Sequence, residues 1–356
     1  MSVRQYVGAV VYDVLPFLAR TLRSPGNRRR PRWGWNRNRR DRVTSGPSGE
    51  GYCCHWEHTR DLHVARMFPA LGTLLLKRML SDWPIEFMDG PVQKSGFSEK
   101  PGFFGHLFQP EVSFVIGHRG TARLPHLLLT LQSIAAQVGV TVECVVVEQS
   151  FEQQLSDVLP EWVRYHFTKT PSADYLYNRS WALNEGVRLA QGRIVILHHG
   201  DMLVPTEYAA EMKRQVDAGY DVVNLKRFIA YLNQASSQVV FDRRILSVPL
   251  RSDEIIGNLC AGGSLGITRD AYYSIGAMDE QFVGWGGEDT EFWDRCQTLR
   301  VANHTYLPIV HLWHPSQPGK AAVNGLGAST ATYFQQRMAL PIADRISELR
   351  RRIAVS

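Results

Sequence analysis

An α/β fold built on a mainly parallel sheet flanked by helices is predicted by three observations. Short apolar runs at 112–116, 142–147 and 194–197 have strand length and no polar alternation, the pattern of strands buried on both faces. Segments of helical length and rhythm, 124–137, 178–190 and 206–218, alternate with them. Each apolar run then ends in residues that carry chemistry: Gly117-His118-Arg119, Glu148, and His199-Gly200-Asp201. In such sheets ligands sit beyond the carboxyl ends of the strands.

In chain order, residues 1–50 read as a basic, disordered arm ending in a Ser/Gly/Pro-rich linker. Residues 51–110 form an N-terminal extension of unknown role, with a helical rhythm over 62–80 cut at Pro69 and a Gly/Pro/Phe-rich loop over 90–110. The main domain is expected at 111–320. In its first helix Leu127, Leu128, Leu131 and Ile134 share one face, and 163–167 is a third strand. Gly192 sits where a helix C-cap glycine belongs. Further strands are expected at 222–225, 238–241 and 262–267, and a short helix at 269–275 stopped by Gly276. A C-terminal helical tail occupies 321–356, with 333–353 as an exposed, Arg-tipped helix.

The chain has 356 residues, 44% apolar and 21% charged, in the range of a globular protein with a sizeable core. No apolar run is long enough to span a bilayer. The net charge of +6 belongs to the arm: residues 20–42 hold ten arginines against Asp41, or +9, which leaves −3 elsewhere. A broad nucleic-acid face is therefore not expected, whereas the arm could make peripheral contact with an anionic membrane. Five scattered cysteines (Cys53, Cys54, Cys144, Cys260, Cys296) suit reduced thiols and a cytoplasmic location. Cys53-Cys54-His55 with His58 does not have zinc-clip spacing.

The densest chemistry lies at 284–295. Three glycines, Trp285 and the acids Glu288, Asp289, Glu291 and Asp294 are packed into twelve residues, with a helix expected from Asp289 onward. Glu288, Glu291 and Asp294 fall near one helical face. Acids at a helix start usually cap it. Trp285 between glycines, and His311-Leu312-Trp313-His314 shortly after, favour a site. Asp201 is either a turn aspartate or a cation ligand. With His199 and His311 it forms an N/O set suited to Mn²⁺ or Mg²⁺, and His314 is an accessory candidate. A phosphate loop, a dinucleotide glycine motif and a Gly-x-Ser-x-Gly nucleophile turn are all absent from the sequence. The pattern points to one carboxylate base, one divalent metal and one phosphate-bearing ligand.

The order of these blocks resembles the GT-A glycosyltransferases, whose sheet is Rossmann-like. The blocks are Gly-His-Arg after a strand, then Tyr177-Asn178-Arg179-Ser180-Trp181, His199-Gly200-Asp201, Gly284-Trp285-Gly286-Gly287-Glu288-Asp289 and His311. The resemblance spans 111–318 and is strongest to the branch of β-1,4-galactosyltransferases, polypeptide N-acetylgalactosaminyltransferases and bacterial chondroitin-polymerase-type enzymes. It implies transfer of a Gal, GalNAc or GlcNAc type sugar from a UDP-sugar to a saccharide or glycoconjugate hydroxyl, as in polysaccharide biosynthesis. Arg119, Glu148, Asn178 and Arg179 would hold the nucleotide, and Asp201, His311 and His199 the metal. Trp285 would floor the sugar site, Glu288 would contact sugar hydroxyls, and Asp289 would be the base of an inverting reaction. His199 stands where the family's Asp-x-Asp motif has its first acid, so metal preference is open. Two other functions compete: a sugar-nucleotide nucleotidyltransferase on a similar sheet, and a non-catalytic binding protein with an RNA- or membrane-binding arginine arm.

Overall fold

The computed structural model describes residues 76–77, 80–81, 83–91, 109–246, 250, 252–257, 262–315 and 328–355. The arm, most of the 62–80 and 90–110 segments, and Cys53, Cys54 and Cys260 lie outside these residues. Cys144 and Cys296 are buried free thiols.

Nine strands form one sheet in the order β3-β2-β1-β4-β8-β6-β9-β5, with β7 also paired to β6. Strands β1 (Val112–His118), β2 (Val142–Ser150), β3 (Arg164–Lys169) and β4 (Ile194–His198) are parallel, as their buried runs imply. Helices α1 (Leu124–Ala135) and α2 (Arg179–Leu189) connect them on opposite faces. Residues Phe114 and Ile116 of β1 pack with Leu127, Leu131 and Ile134 of α1. The intervening Val115 packs with Ala182, Leu183 and Val187 of α2. This period-two alternation gives the sheet a core on both faces.

Beyond β4 the strands run both ways. Strand β8 (Ser264–Thr268) is antiparallel to β4 and to β6 (Val222–Leu232), so β6 runs in the direction of β4. Strand β9 (Val301–His311) is parallel to β6. The carboxyl ends of β1, β4, β6 and β9 therefore share one edge of the sheet. The two-residue β5 (Met202–Leu203) turns back antiparallel to β9, pairing Met202 with His311. Strand β7 is Ser252–Gly257. The remaining helices are α3 (Tyr208–Asp217), α4 (Gln234–Arg243), α5 (Arg269–Ser274), α6 (Glu288–Cys296), α7 (Ala328–Ala339) and α8 (Ile342–Val355). No helix among the described residues is long and apolar enough to cross a membrane.

Three local expectations are corrected. The strand expected at 238–241 is part of α4: the Asn233 side chain accepts from the Ser236 N–H at 2.8 Å and caps a helix that buries Ser236, Ser237 and Val240. Gly192 does not cap α2, whose C-cap is Ala190. A Cβ on Gly192 would lie 2.6 Å from Ser113 Oγ and 2.9 Å from its backbone N, so glycine lets the chain cross close to β1. The exposed helix expected at 333–353 is two helices parted at Pro341, which cannot continue the hydrogen-bond ladder of α7. Arg337 and Arg345 are buried there, although Arg350 and Arg351 are exposed as expected.

Helix α2 lies so close to β1 that a Cβ on Gly186 would come 2.3 Å from Val115 Cγ1. Gly186→Ala should destabilise the protein by about 1–3 kcal/mol through overpacking. Urea unfolding measures this; an unchanged midpoint would contradict the close helix–strand approach.

Candidate active site

The shared strand edge brings two groups of side chains together. The first surrounds Asp201, which follows β4 and is 6% exposed. Because Met202 pairs with His311, and Leu312 N–H donates to the Asp201 carbonyl at 3.0 Å, the end of β9 is fixed beside this carboxylate. His311 Nε2 lies 3.8 Å and His314 Nε2 3.3 Å from Asp201 Oδ2. One ligand atom from each of Asp201, His311 and His314 falls within 4.8 Å of the others. Arg123, just before α1, places Nη1 3.3 Å from the same oxygen.

Several contacts orient these rings. His311 stacks on Tyr231 with centroids 4.4 Å apart. His314 Nδ1 donates to the Pro315 carbonyl at 2.8 Å, which turns Nε2 toward Asp201. Between them, the Trp313 carbonyl accepts from His126 Nε2 at 2.9 Å and the Trp313 N–H donates to Ser237 Oγ at 2.8 Å. Burial holds His311 down at about 4, so its imidazole is neutral at physiological pH. Burial pushes the Asp201 carboxyl up, but the His314 hydrogen bond and the neighbouring histidines outweigh it and keep it ionised. Asp201 Oδ1 and His311 Nδ1 are buried without a partner among the described residues. Two ring nitrogens and a carboxylate with one unpartnered oxygen face a common point. The donor set thus fits a divalent ion that accepts mixed N/O ligands.

The second group is built on the loop into α6. Gly284, Gly286 and Gly287 have φ of 104°, 98° and 94°, so all three positions require the left-handed region. They deliver Glu288 and Asp289 to the first turn of α6, where the helix dipole favours acids. Arg179, the first residue of α2, places Nη1 2.5 Å from Asp289 Oδ1 and 3.8 Å from Glu288 Oε1. Asp289 Oδ2 faces His199 Nε2 at 3.8 Å. Burial and the neighbouring Asp289 charge push Glu288 up to about 7. Burial also acts to raise Asp289, but Arg179 and His199 outweigh it and lower its carboxyl below the usual range. The two adjacent acids are thereby driven to opposite protonation behaviour. Burial with the nearby Arg179 charge holds His199 down at about 3.

The expected site residues therefore divide. Asp201 and His311 meet, His314 joins them, and His199 turns toward Asp289, with its own N–H bonded to the Gly263 carbonyl at 2.9 Å. Glu288, Asp289 and Arg179 meet directly. Trp285 stands in the same loop, its carbonyl accepting from Thr330 Oγ1 of α7 at 2.8 Å. Arg119, Glu148 and Asn178 are engaged with the protein. Arg119 donates to the carbonyls of Gln149 (2.8 Å) and Tyr175 (2.5 Å). Glu148 accepts from Gln154 N, Leu155 N and Tyr165 Oη. Asn178 caps α2 and donates to the Glu280 carbonyl.

The acids Glu288, Glu291 and Asp294 have different partners. Arg179 takes the first, and the buried Arg345 of α8 binds both of the others. Sequence reasoning missed Arg123, His126, Ser237, Thr330 and Arg345. Only Arg123 had a local signal, as a basic residue between a strand-end loop and a helix.

Residues 253–315, which include Trp285, Glu288, Asp289, His311 and His314, match the family described as the N-terminal domain of galactosyltransferase. This match supports a glycosyltransferase. Among solved structures, the chain is similar to the catalytic domain of Drosophila β1,4-galactosyltransferase 7 in complex with xylobiose. That alignment has 17% identity over 60% of this chain and 76% of that one, with a TM-score of 0.36. It is also similar to GalNAc-T7 with UDP, GalNAc and Mn²⁺, at 16% identity over 68% of this chain and 54% of that one, with a TM-score of 0.43. No curated protein sequence matches the chain. The chain has the α/β class its sequence predicts, a sheet flanked by helices.

Glu288 supplies a pH test of this geometry. Its folded value of about 7 exceeds the ordinary 4.5, so between these values the folded chain holds a proton that the unfolded chain has released. Stability from this group is therefore lost as pH rises through that window. Glu288→Gln should match wild type near pH 4.5 and exceed it by ~1–3 kcal/mol above pH 7 in urea unfolding. An equal offset at both pH values would show that Glu288 is not buried beside a second charge.

Proposed function

We propose that the enzyme moves a Gal, GalNAc or GlcNAc type sugar from a UDP-sugar to a hydroxyl of a saccharide or glycoconjugate, with inversion at the anomeric carbon. The observation that carries this reading is the pairing of two half-sites on one strand edge. A cation-fitting trio (Asp201, His311, His314) lies beside a carboxylate, Asp289, that is kept ionised and clamped by Arg179.

In this reading Arg179 fixes Asp289 through Oδ1 and leaves Oδ2 open to an acceptor hydroxyl. Asp289 Oδ2 removes the hydroxyl proton as that oxygen attacks the anomeric carbon from the side away from the diphosphate. Glu288, which titrates near neutrality, contacts sugar hydroxyls, and Trp285 floors the sugar. Mn²⁺ or Mg²⁺ held by Asp201, His311 and His314 would offset the charge that develops on the departing diphosphate. His199 serves the Asp289 half, where its neutral ring borders Oδ2.

Asp289→Asn should retain UDP-sugar binding and lower kcat by about 10²–10⁴-fold, the usual worth of a general base. Undiminished transfer would remove Asp289 from that role. EDTA should abolish turnover and added Mn²⁺ restore it; full activity in chelator would remove the metal from the mechanism. The nucleotide product should be UDP. Release of pyrophosphate would instead identify a nucleotidyltransferase.

A further inference from the structure

Asp201 Oδ2 is a meeting point for three nitrogen groups, and one of them is a permanent cation. Arg123 Nη1 lies 3.3 Å from this oxygen, the same distance as His314 Nε2, with His311 Nε2 at 3.8 Å. A guanidinium already stands against the carboxylate on which the metal reading depends. The groups facing Asp201 come from every surrounding element: His118 from the end of β1, Arg123 and His126 from around α1, His199 from its own loop, and His311 and His314 from the end of β9. Of the groups named, Arg123 alone is a guanidinium, charged at any ordinary pH.

The two sides of the Arg123 contact differ in freedom. Asp201 is 9% exposed at its side chain and cannot move away from β4 and β9, whereas the Arg123 side chain is 27% exposed. Arg123 makes no side-chain capping bond to α1, so its side chain can leave without loosening the helix. A divalent cation and a guanidinium cannot both lie within about 4 Å of one carboxylate oxygen without strong repulsion.

We infer that Arg123 couples metal binding to diphosphate binding. Without ligands it occupies Asp201 and weakens the site for a bare metal ion. When a metal takes Asp201, Arg123 is released at the rim of the site, where a diphosphate is the anion that pairs with a planar guanidinium. Each ligand then favours the other by the same factor, because both act on the Arg123–Asp201 contact. Arg123 is a positioning and coupling residue in this scheme. The inference rests on the proposed metal and nucleoside-diphosphate reading.

The test is Mn²⁺ titration of the full chain followed by electron paramagnetic resonance of the free ion, with and without UDP. Wild type, Arg123→Met and Arg123→Lys are compared. Arg123→Met should bind Mn²⁺ alone about 5–10-fold more tightly, and the gain in Mn²⁺ affinity from UDP should shrink by about 10-fold, within the ordinary range of site–site coupling. Arg123→Lys, which keeps the charge, should stay close to wild type in Mn²⁺ alone and lose part of the UDP gain. Mn²⁺ binding of equal strength in wild type and Arg123→Met would overturn the coupling while leaving the metal reading intact. Failure of all three proteins to bind Mn²⁺ would overturn the metal reading, and the coupling with it.

Discussion

A carboxylate buried at the end of a strand must find partners for its charge, and much of this molecule's site follows from how Asp201 does so. The sheet supplies them by direction alone. Strand β8 runs against β4, β6 runs against β8, and β9 follows β6, so β9 ends at the edge where β4 ends. The two-residue β5 then seals Asp201 to His311 through backbone pairing. Two imidazoles and a guanidinium converge on one oxygen as a result. The rings offer nitrogen atoms, and the guanidinium offers charge. In the proposed reading this site takes a cation, and Arg123 competes with it for Asp201.

The transfer half depends on a different balance. Two adjacent acids at the start of α6 cannot both be comfortable as anions in a buried setting. Arg179 resolves this by lying against Asp289 and further from Glu288. Behind them, Arg345 of α8 ties α6 to the C-terminal helices by holding Glu291 and Asp294, Arg295 within α6 also holds Glu291, and Arg337 and Arg352 hold Asp279 in the preceding loop. Removing one partner from such a buried network leaves an uncompensated charge. Thr330 extends the connection to the Trp285 carbonyl. The loop that carries Trp285, Glu288 and Asp289 is therefore supported from a part of the chain that reads, in sequence, as an exposed tail.

The parallel block was legible because its signals are local. Buried strands need continuous Val and Ile, helices between them need a three-to-four residue rhythm, and Asn178 announces the start of α2. The glycines at 284–287 were equally legible, since positive φ leaves a compositional mark. Residues 238–241 were not: Val239, Val240 and Phe241 suit a strand, and the cap at Asn233 lies outside that window. Gly192 was assigned to the wrong role because close approach to Ser113 is a contact across 79 positions of sequence.

The sequence by itself determined the α/β class, the strand ends where chemistry collects, and the identity of Asp201, Glu288, Asp289 and His311 as the residues to follow. Tertiary structure decided the partnerships. It put His314 rather than His199 in the Asp201 trio, turned His199 toward Asp289, engaged Arg119, Glu148 and Asn178 with the protein, and brought in Arg123, His126, Ser237 and Arg345. The physical reason is range. Periodicity, capping and backbone conformation act within a few residues, and the sequence carries them openly. Charge pairing and ligand convergence are set by which strand ends and helix turns become neighbours, and only the closed sheet fixes that.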